Sequence, residues 1–228
     1  MNRFEQAFVW VGGALFVGAL AFCAYSYLFV WGRTDADRVR WSAVAFDALL
    51  FAAFAAHHSL FARDDVKAWL MFLVPGRLVR SVFVWTASGL FVAVCALWRP
   101  VGGRLYDLPE WAAVALATVQ LAGIWIIARA VRAIDALELA GIRHRAVGET
   151  LQVAGPYAWV RHPVYLGWLL AAFGPAHLTG DRLAFATISL VYLVVAVPWE
   201  ERTLVRTFGV HYEEYKRQVR WRIIPYVY

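Results

Sequence analysis

The chain has 228 residues, 62% apolar and only 17% charged, with a formal net charge of +6. A soluble domain carries roughly 25% charged residues and cannot bury this much apolar surface in one core, so a soluble globular fold is excluded. Nucleic acid is excluded as a partner as well, because the basic residues lie between apolar runs and not along one polar face.

Six apolar stretches follow one another, at residues 8–31, 41–61, 81–98, 111–128, 164–178 and 183–199. The first four are close to the ~20 residues that a helix needs to cross the hydrocarbon core. The last two are shorter and joined by Thr179-Gly180-Asp181, which predicts a helical hairpin. The expected fold is therefore an all-α integral membrane protein of about six transmembrane helices with a cytoplasmic helical tail. Trp31, Trp41, Trp98, Trp111, Trp159 and Trp199 fall at the edges of the runs, where indoles favour the headgroup level. The first run continues past Ala19-Leu20-Ala21, and Phe22 precedes Cys23, so neither a cleaved signal nor a lipidated cysteine is expected. Cys23 and Cys95 both sit inside apolar runs, which argues against a disulfide framework and a cysteine-based zinc site; no metal is expected.

In the second stretch, Ala48, Ala52 and Ala56 predict a small-residue packing stripe, and Asp47 is an intramembrane acid. Asp47 reads equally as an interfacial residue. His57 and His58 stand at the inner end of that helix, beside Arg63. With the N-terminus inside, sixteen of the 22 Lys and Arg residues fall on the cytoplasmic side. That asymmetry orients both termini inwards, as expected for a bacterial inner-membrane protein.

Polarity divides the chain into a four-helix membrane region, residues 1–128, and a second region, residues 129–228. The second region opens with a polar, basic connection and closes with a charged tail. In that tail Leu204, Phe208, Tyr212, Tyr215 and Val219 recur at helical spacing, Glu213 is placed to pair with Arg217, and Gly209 marks a bend.

Two clusters carry chemistry. One runs from Gly155 to Gly167 and contains Tyr157, Arg161, His162, Pro163 and Tyr165, with Pro163 expected as the first residue of a helix. The other is Glu200-Glu201, read as the C-terminal end of the sixth span, where two carboxylates need cationic or hydrogen-bonding partners. The hairpin returns the chain to Arg161 and His162. This arrangement reads either as a polar ligand site at the membrane edge or as a structural ion-pair network. No dinucleotide-binding glycine motif, P-loop or zinc-protease motif occurs.

Gly155-Pro156-Tyr157, Arg161-His162-Pro163-x-Tyr165-x-Gly167, Glu200-Glu201-x-x-Leu204, Phe208-Gly209-x-x-Tyr212-x-x-Tyr215 and Ile224-Pro225 together resemble the isoprenylcysteine carboxyl methyltransferase and phospholipid methyltransferase group of membrane enzymes. Asp135-x-Leu137-Glu138-Leu139-x-Gly141-Ile142-Arg143 is similar to its bacterial branches. His57-His58-Ser59-Leu60-x-Ala62-Arg63 resembles, more weakly, the NnrU-like and methanethiol S-methyltransferase branches. The resemblance implies methyl transfer from S-adenosylmethionine, with residues 129–228 as the cofactor-binding region.

It further implies that Tyr157, His162, Pro163, Val164, Tyr165 and Glu200 bind the cofactor, with Thr150 and Leu151 contributing, and it leads us to assign Arg161 and Glu201 as catalytic. The chemistry agrees. Carboxylates suit the cofactor's ammonium or ribose hydroxyls, Arg161 its carboxylate, and tyrosine faces its sulfonium or adenine. Prenylcysteine-specific members carry an Arg four residues before the first Glu; here Ala196 stands there, which leaves a thiol, an amine or a lipidic carboxylate open as the methyl acceptor. The partners expected are the bilayer and a small or lipidic acceptor. The alternatives are a sterol-reductase-like enzyme using NADPH and a non-enzymatic haem-handling, quinone-handling or transport protein.

Overall fold

The structure, a computed structural model, describes residues 1–33, 38–61, 63–142 and 150–228, without the side chains of Asp64 and Glu138. Ala62 and Arg143, two positions of the resembling motifs, lie outside those residues. The chain divides into two compact units, Met1–Gly103 with Ala136–Ala146, and Arg104–Asp135 with Val147–Tyr228.

The first unit contains α1 (Arg3–Tyr25, extended by a π-helical turn, Ser26–Val30), α2 (Trp41–Phe61), α3 (Asp64–Leu70), α4 (Gly76–Leu97) and α6 (Ala136–Leu139). A capping box starts α1: the Asn2 side chain accepts the Glu5 N–H, and the Glu5 carboxylate accepts the Asn2 N–H. The same carboxylate pairs with Arg77 of α4. Gly12 leaves room for the Trp85 ring, whose indole N–H donates to the Phe8 carbonyl at 3.0 Å.

Asp47 is fully buried, and its Oδ1 accepts the backbone N–H of Arg99 at 2.9 Å. That bond makes it a tether for the chain leaving α4. The buried line on α2 is Ala43, Asp47 and Phe51, whereas Ala52 and Ala56 are exposed; the expected alanine stripe is not the packing face within this unit. Trp31 and Trp98 also depart from the expected belt. Both are buried, with ring centroids 4.8 Å apart, while Trp41, Trp111, Trp159 and Trp199 are more than half exposed or close to it.

The second unit contains β1 (Arg104–Asp107), α5 (Glu110–Ala133), α7 (Pro163–Phe173), β2 (His177–Thr179), α8 (Gly180–Phe208) and α9 (Val210–Gln218). The predicted fifth span is an 11-residue helix. Gly174 caps it and Pro175 cannot extend it, so residues 177–179 form a strand antiparallel to β1. At 1.5 Å per residue such a helix is about 16 Å long, short of the ~30 Å core. Five helices are long and apolar enough to span: α1 with its π turn, α2, α4, α5 and α8. Because β2 pairs with β1, which precedes α5, α7 and the residues after it return the chain along the whole of α5.

Gly123 of α5 and Gly167 of α7 let those backbones touch: a Cβ on either would lie 2.5 Å from the other's carbonyl oxygen. Gly167→Ala should therefore force the helices apart and cost about 1–3 kcal/mol. Thermal unfolding in detergent should register the loss, while Gly89→Ala, which meets open space, should be neutral or mildly stabilising.

Thr179 caps α8, its hydroxyl accepting the Arg182 N–H. Contrary to expectation, α8 does not end at Trp199. It runs through Pro198 to Phe208, so Glu200 and Glu201 lie within the helix and escape its negative end. Gly209, at φ 56°, makes the predicted bend into α9. The tail's periodic residues close a core of Tyr212, Tyr215 and Val219 with Leu204 and Phe208. Glu213 pairs with Lys216 at 2.9 Å in place of a carboxylate pair with Arg217, which reaches only its backbone carbonyl.

Candidate functional site

The second unit gathers its polar side chains where the segment before α7, the later turns of α8 and the returning tail meet. Pro163 is the first residue of α7, as predicted, and His162 precedes it as the cap. The N–H groups of Arg161 and His162 donate to the carbonyls of Trp221 and Arg222, at 2.9 and 2.8 Å. The tail thus lies against the 161–162 segment, and both side chains reach the glutamates of α8.

The two neighbouring glutamates have different surroundings. Glu201 is buried, its side chain only 8% exposed. It accepts from Arg161 Nε at 2.6 Å, from Arg222 Nε at 3.3 Å and from the Tyr212 hydroxyl at 3.4 Å, and His162 Nε2 lies 3.5 Å away. Arg161, equally buried, also donates to the carbonyls of Val219 and Arg220, both at 2.8 Å. These contacts commit the guanidinium to the protein's own groups.

Glu200 is 43% exposed. Its Oε2 accepts the Tyr165 hydroxyl at 2.7 Å and lies 3.6 Å from His162 Nδ1, and among the described residues its Oε1 takes no hydrogen bond. The rings of His162 and Tyr165 stack nearly parallel, 5° apart in plane with centroids at 5.3 Å.

Of the remaining sequence-predicted residues, Tyr157 sits in a short 3-10 turn and its carbonyl accepts the Tyr215 hydroxyl at 2.7 Å. Val164 is half-buried in the first turn of α7, and Pro163 is buried. Leu151 packs on the Tyr212 and Tyr215 core and, with Val153, His211, Glu214 and Gln218, lines a surface groove of about 320 Å³. Thr150 is exposed beside it. A second, apolar groove of about 400 Å³ runs beside α7, lined among others by Leu116, Leu166, Leu169, Leu190 and Ile224.

Arg222 and Tyr228 belong to the site although the sequence did not single them out. The only signal was Ile224-Pro225, a turn that sends the chain back so that the Tyr228 hydroxyl accepts from Arg222 at 3.1 Å.

Burial, aided by the charge of Glu200, pushes the Tyr157 phenol up to about 12. Burial likewise raises Tyr212 and Tyr215, so none of the three is a base near neutral pH. For Tyr157 the folded value lies above the unfolded one, near 10, so its contribution to stability is full below pH ~10 and is lost as pH rises towards ~12. Melting curves at increasing alkaline pH should show that decline, and Tyr157→Phe should flatten part of it.

Residues 132–228 match the family described as Ergosterol biosynthesis ERG4/ERG24. Methanethiol S-methyltransferase 1 of Bradyrhizobium diazoefficiens is 32% identical over 203 residues, covering 85% of this chain and 70% of that protein. Nurim of Danio rerio is 30% identical over 223 residues, 83% of this chain and 78% of its own. Protein-S-isoprenylcysteine O-methyltransferase of Xenopus laevis is 34% identical over 73 residues, 31% of this chain and 25% of its own.

Proposed function

The chain belongs to the isoprenylcysteine carboxyl methyltransferase group of membrane methyltransferases, in the branch of the methanethiol S-methyltransferases, and on that premise we propose that it methylates a small apolar thiol with S-adenosylmethionine. The observation that carries this reading is Glu200, half-exposed and held by Tyr165 with one carboxylate oxygen uncommitted among the described residues. An anion so presented, beside the stacked rings of His162 and Tyr165, suits a ligand that carries an ammonium, ribose hydroxyls and a sulfonium. The cofactor supplies the methyl group.

Glu200, Tyr157, His162, Val164 and Tyr165 would hold it, with Leu151 and Thr150 at the edge. Arg161 and Glu201, assigned as catalytic from the sequence, fit better as the buried pair that orients this wall. Methyl transfer is a displacement at carbon, so the protein's task is to align acceptor and donor and to exclude water. The apolar groove beside Leu166 and Leu169 favours an acceptor that arrives from the bilayer without charge. Ala196, half-buried one turn before Glu200, offers no cation for a carboxylate acceptor.

We place the active site and both termini in the cytoplasm. Six crossings satisfy the path of α7 back along α5 and the excess of basic residues on one side. The match of residues 132–228 to an ergosterol-biosynthesis family favours one rival reading, a nicotinamide cofactor at the same wall. An assay with methyl-labelled S-adenosylmethionine and detergent-solubilised protein separates the possibilities. Short alkyl thiols should become labelled, and phosphatidylethanolamine and a farnesylated cysteine should not. Label in either of the latter would refute the thiol assignment, and NADPH binding in place of S-adenosylmethionine would support the rival.

A further inference from the structure

Pro198 lies inside α8 without ending it. Having no N–H, it leaves the carbonyl of Val194 without its partner four residues on, and such a break is a hinge in a helix. Leu193 and Val197 lie before the break, and Glu200 and Glu201 after it. The Tyr228 hydroxyl fills the gap, donating to the Val194 carbonyl at 3.5 Å. The same hydroxyl accepts from Arg222, whose Nε donates to Glu201 at 3.3 Å. Ile223 packs with Leu193, Val197 and Leu169, and Tyr228 covers that cluster.

The tail is therefore fastened on both sides of one helix break, to Val194 before it and to Glu201 after it. We propose that Tyr228 and Arg222 are positioning residues that span the proline break in α8, fix its bend and so set the direction in which Glu200 faces Tyr165 and His162. A bend at Pro198 moves the turn that carries both glutamates relative to α7, which bears Tyr165. Holding the bend holds the 2.7 Å contact between Tyr165 and Glu200. The inference rests on the reading of Glu200 as a cofactor ligand.

The test is a double-substitution cycle on the full chain in detergent, reading S-adenosylmethionine affinity by calorimetry and melting temperature on the same samples. Tyr228→Phe should weaken binding about three- to tenfold, the worth of one hydrogen bond. In a Pro198→Ala background the alanine N–H bonds the Val194 carbonyl, and the same Tyr228→Phe change should then cost less than about twofold. Arg222→Gln cuts the path at its other end, so Pro198→Ala should not rescue it. Equal losses from Tyr228→Phe in both backgrounds, or a lower melting temperature with unchanged affinity, would overturn this inference alone. Absence of binding by the unsubstituted protein would overturn the proposed function and this inference with it.

Discussion

Glu201→Ala should lower the melting temperature in detergent by roughly 10 °C, the equivalent of about 3–5 kcal/mol in a chain of this size. Removing one member of a buried ion pair strands the other, and Glu201 has several partners to strand. Arg161, 6% exposed, would lose its carboxylate; Arg222 and the buried Tyr212 hydroxyl would lose an acceptor. The backbone of the 161–162 segment also bonds to the tail, so the loss should spread to both. Arg161→Met should be milder, because Glu201 keeps Arg222, Tyr212 and His162 around it. A melting temperature unchanged by Glu201→Ala would contradict the assignment of this pair to positioning.

Glu200→Ala should do the reverse. Its side chain is 43% exposed, and its deletion leaves one hydroxyl, that of Tyr165, without a partner, so the stability cost should stay near 1 kcal/mol. Its effect on cofactor affinity should be about tenfold to a hundredfold, the range for a hydrogen bond to a charged group. His162→Ala should weaken binding as well, since it removes the ring on which Tyr165 stacks. Adjacent residues on one helix would then separate cleanly, one lowering stability and the other affinity. Calorimetry beside thermal melts on the same two variants distinguishes them.

The membrane class was legible because bilayer burial leaves its mark on composition, and the four long runs before residue 129 map onto four long helices. The fifth stretch misled, because hydropathy continues through Gly174-Pro175 although the helix cannot. The sixth misled in the opposite sense: Pro198 and two charges imitate a helix end, but tertiary partners carry the helix two turns further. Tyr157, Arg161, His162, Tyr165 and the two glutamates could be named from motif spacing. Their division of labour could not, because it depends on which carboxylate the tail covers. Arg222 and Tyr228 were hidden for the same reason: a chain reversal at residues 224–228 sets their contacts, and no periodicity encodes it.

Equilibrium calorimetry of S-adenosylmethionine with the detergent-solubilised full chain and with Glu200→Ala, both held well below their melting temperatures, tests the role of Glu200 as a cofactor ligand most directly. Saturable, single-site binding by the unsubstituted protein, weakened at least about tenfold in the folded variant, is the predicted result. Absence of binding at about 1 mM cofactor, where any binding free energy of roughly −4 kcal/mol or more negative would register, or equal binding by both proteins, would contradict it.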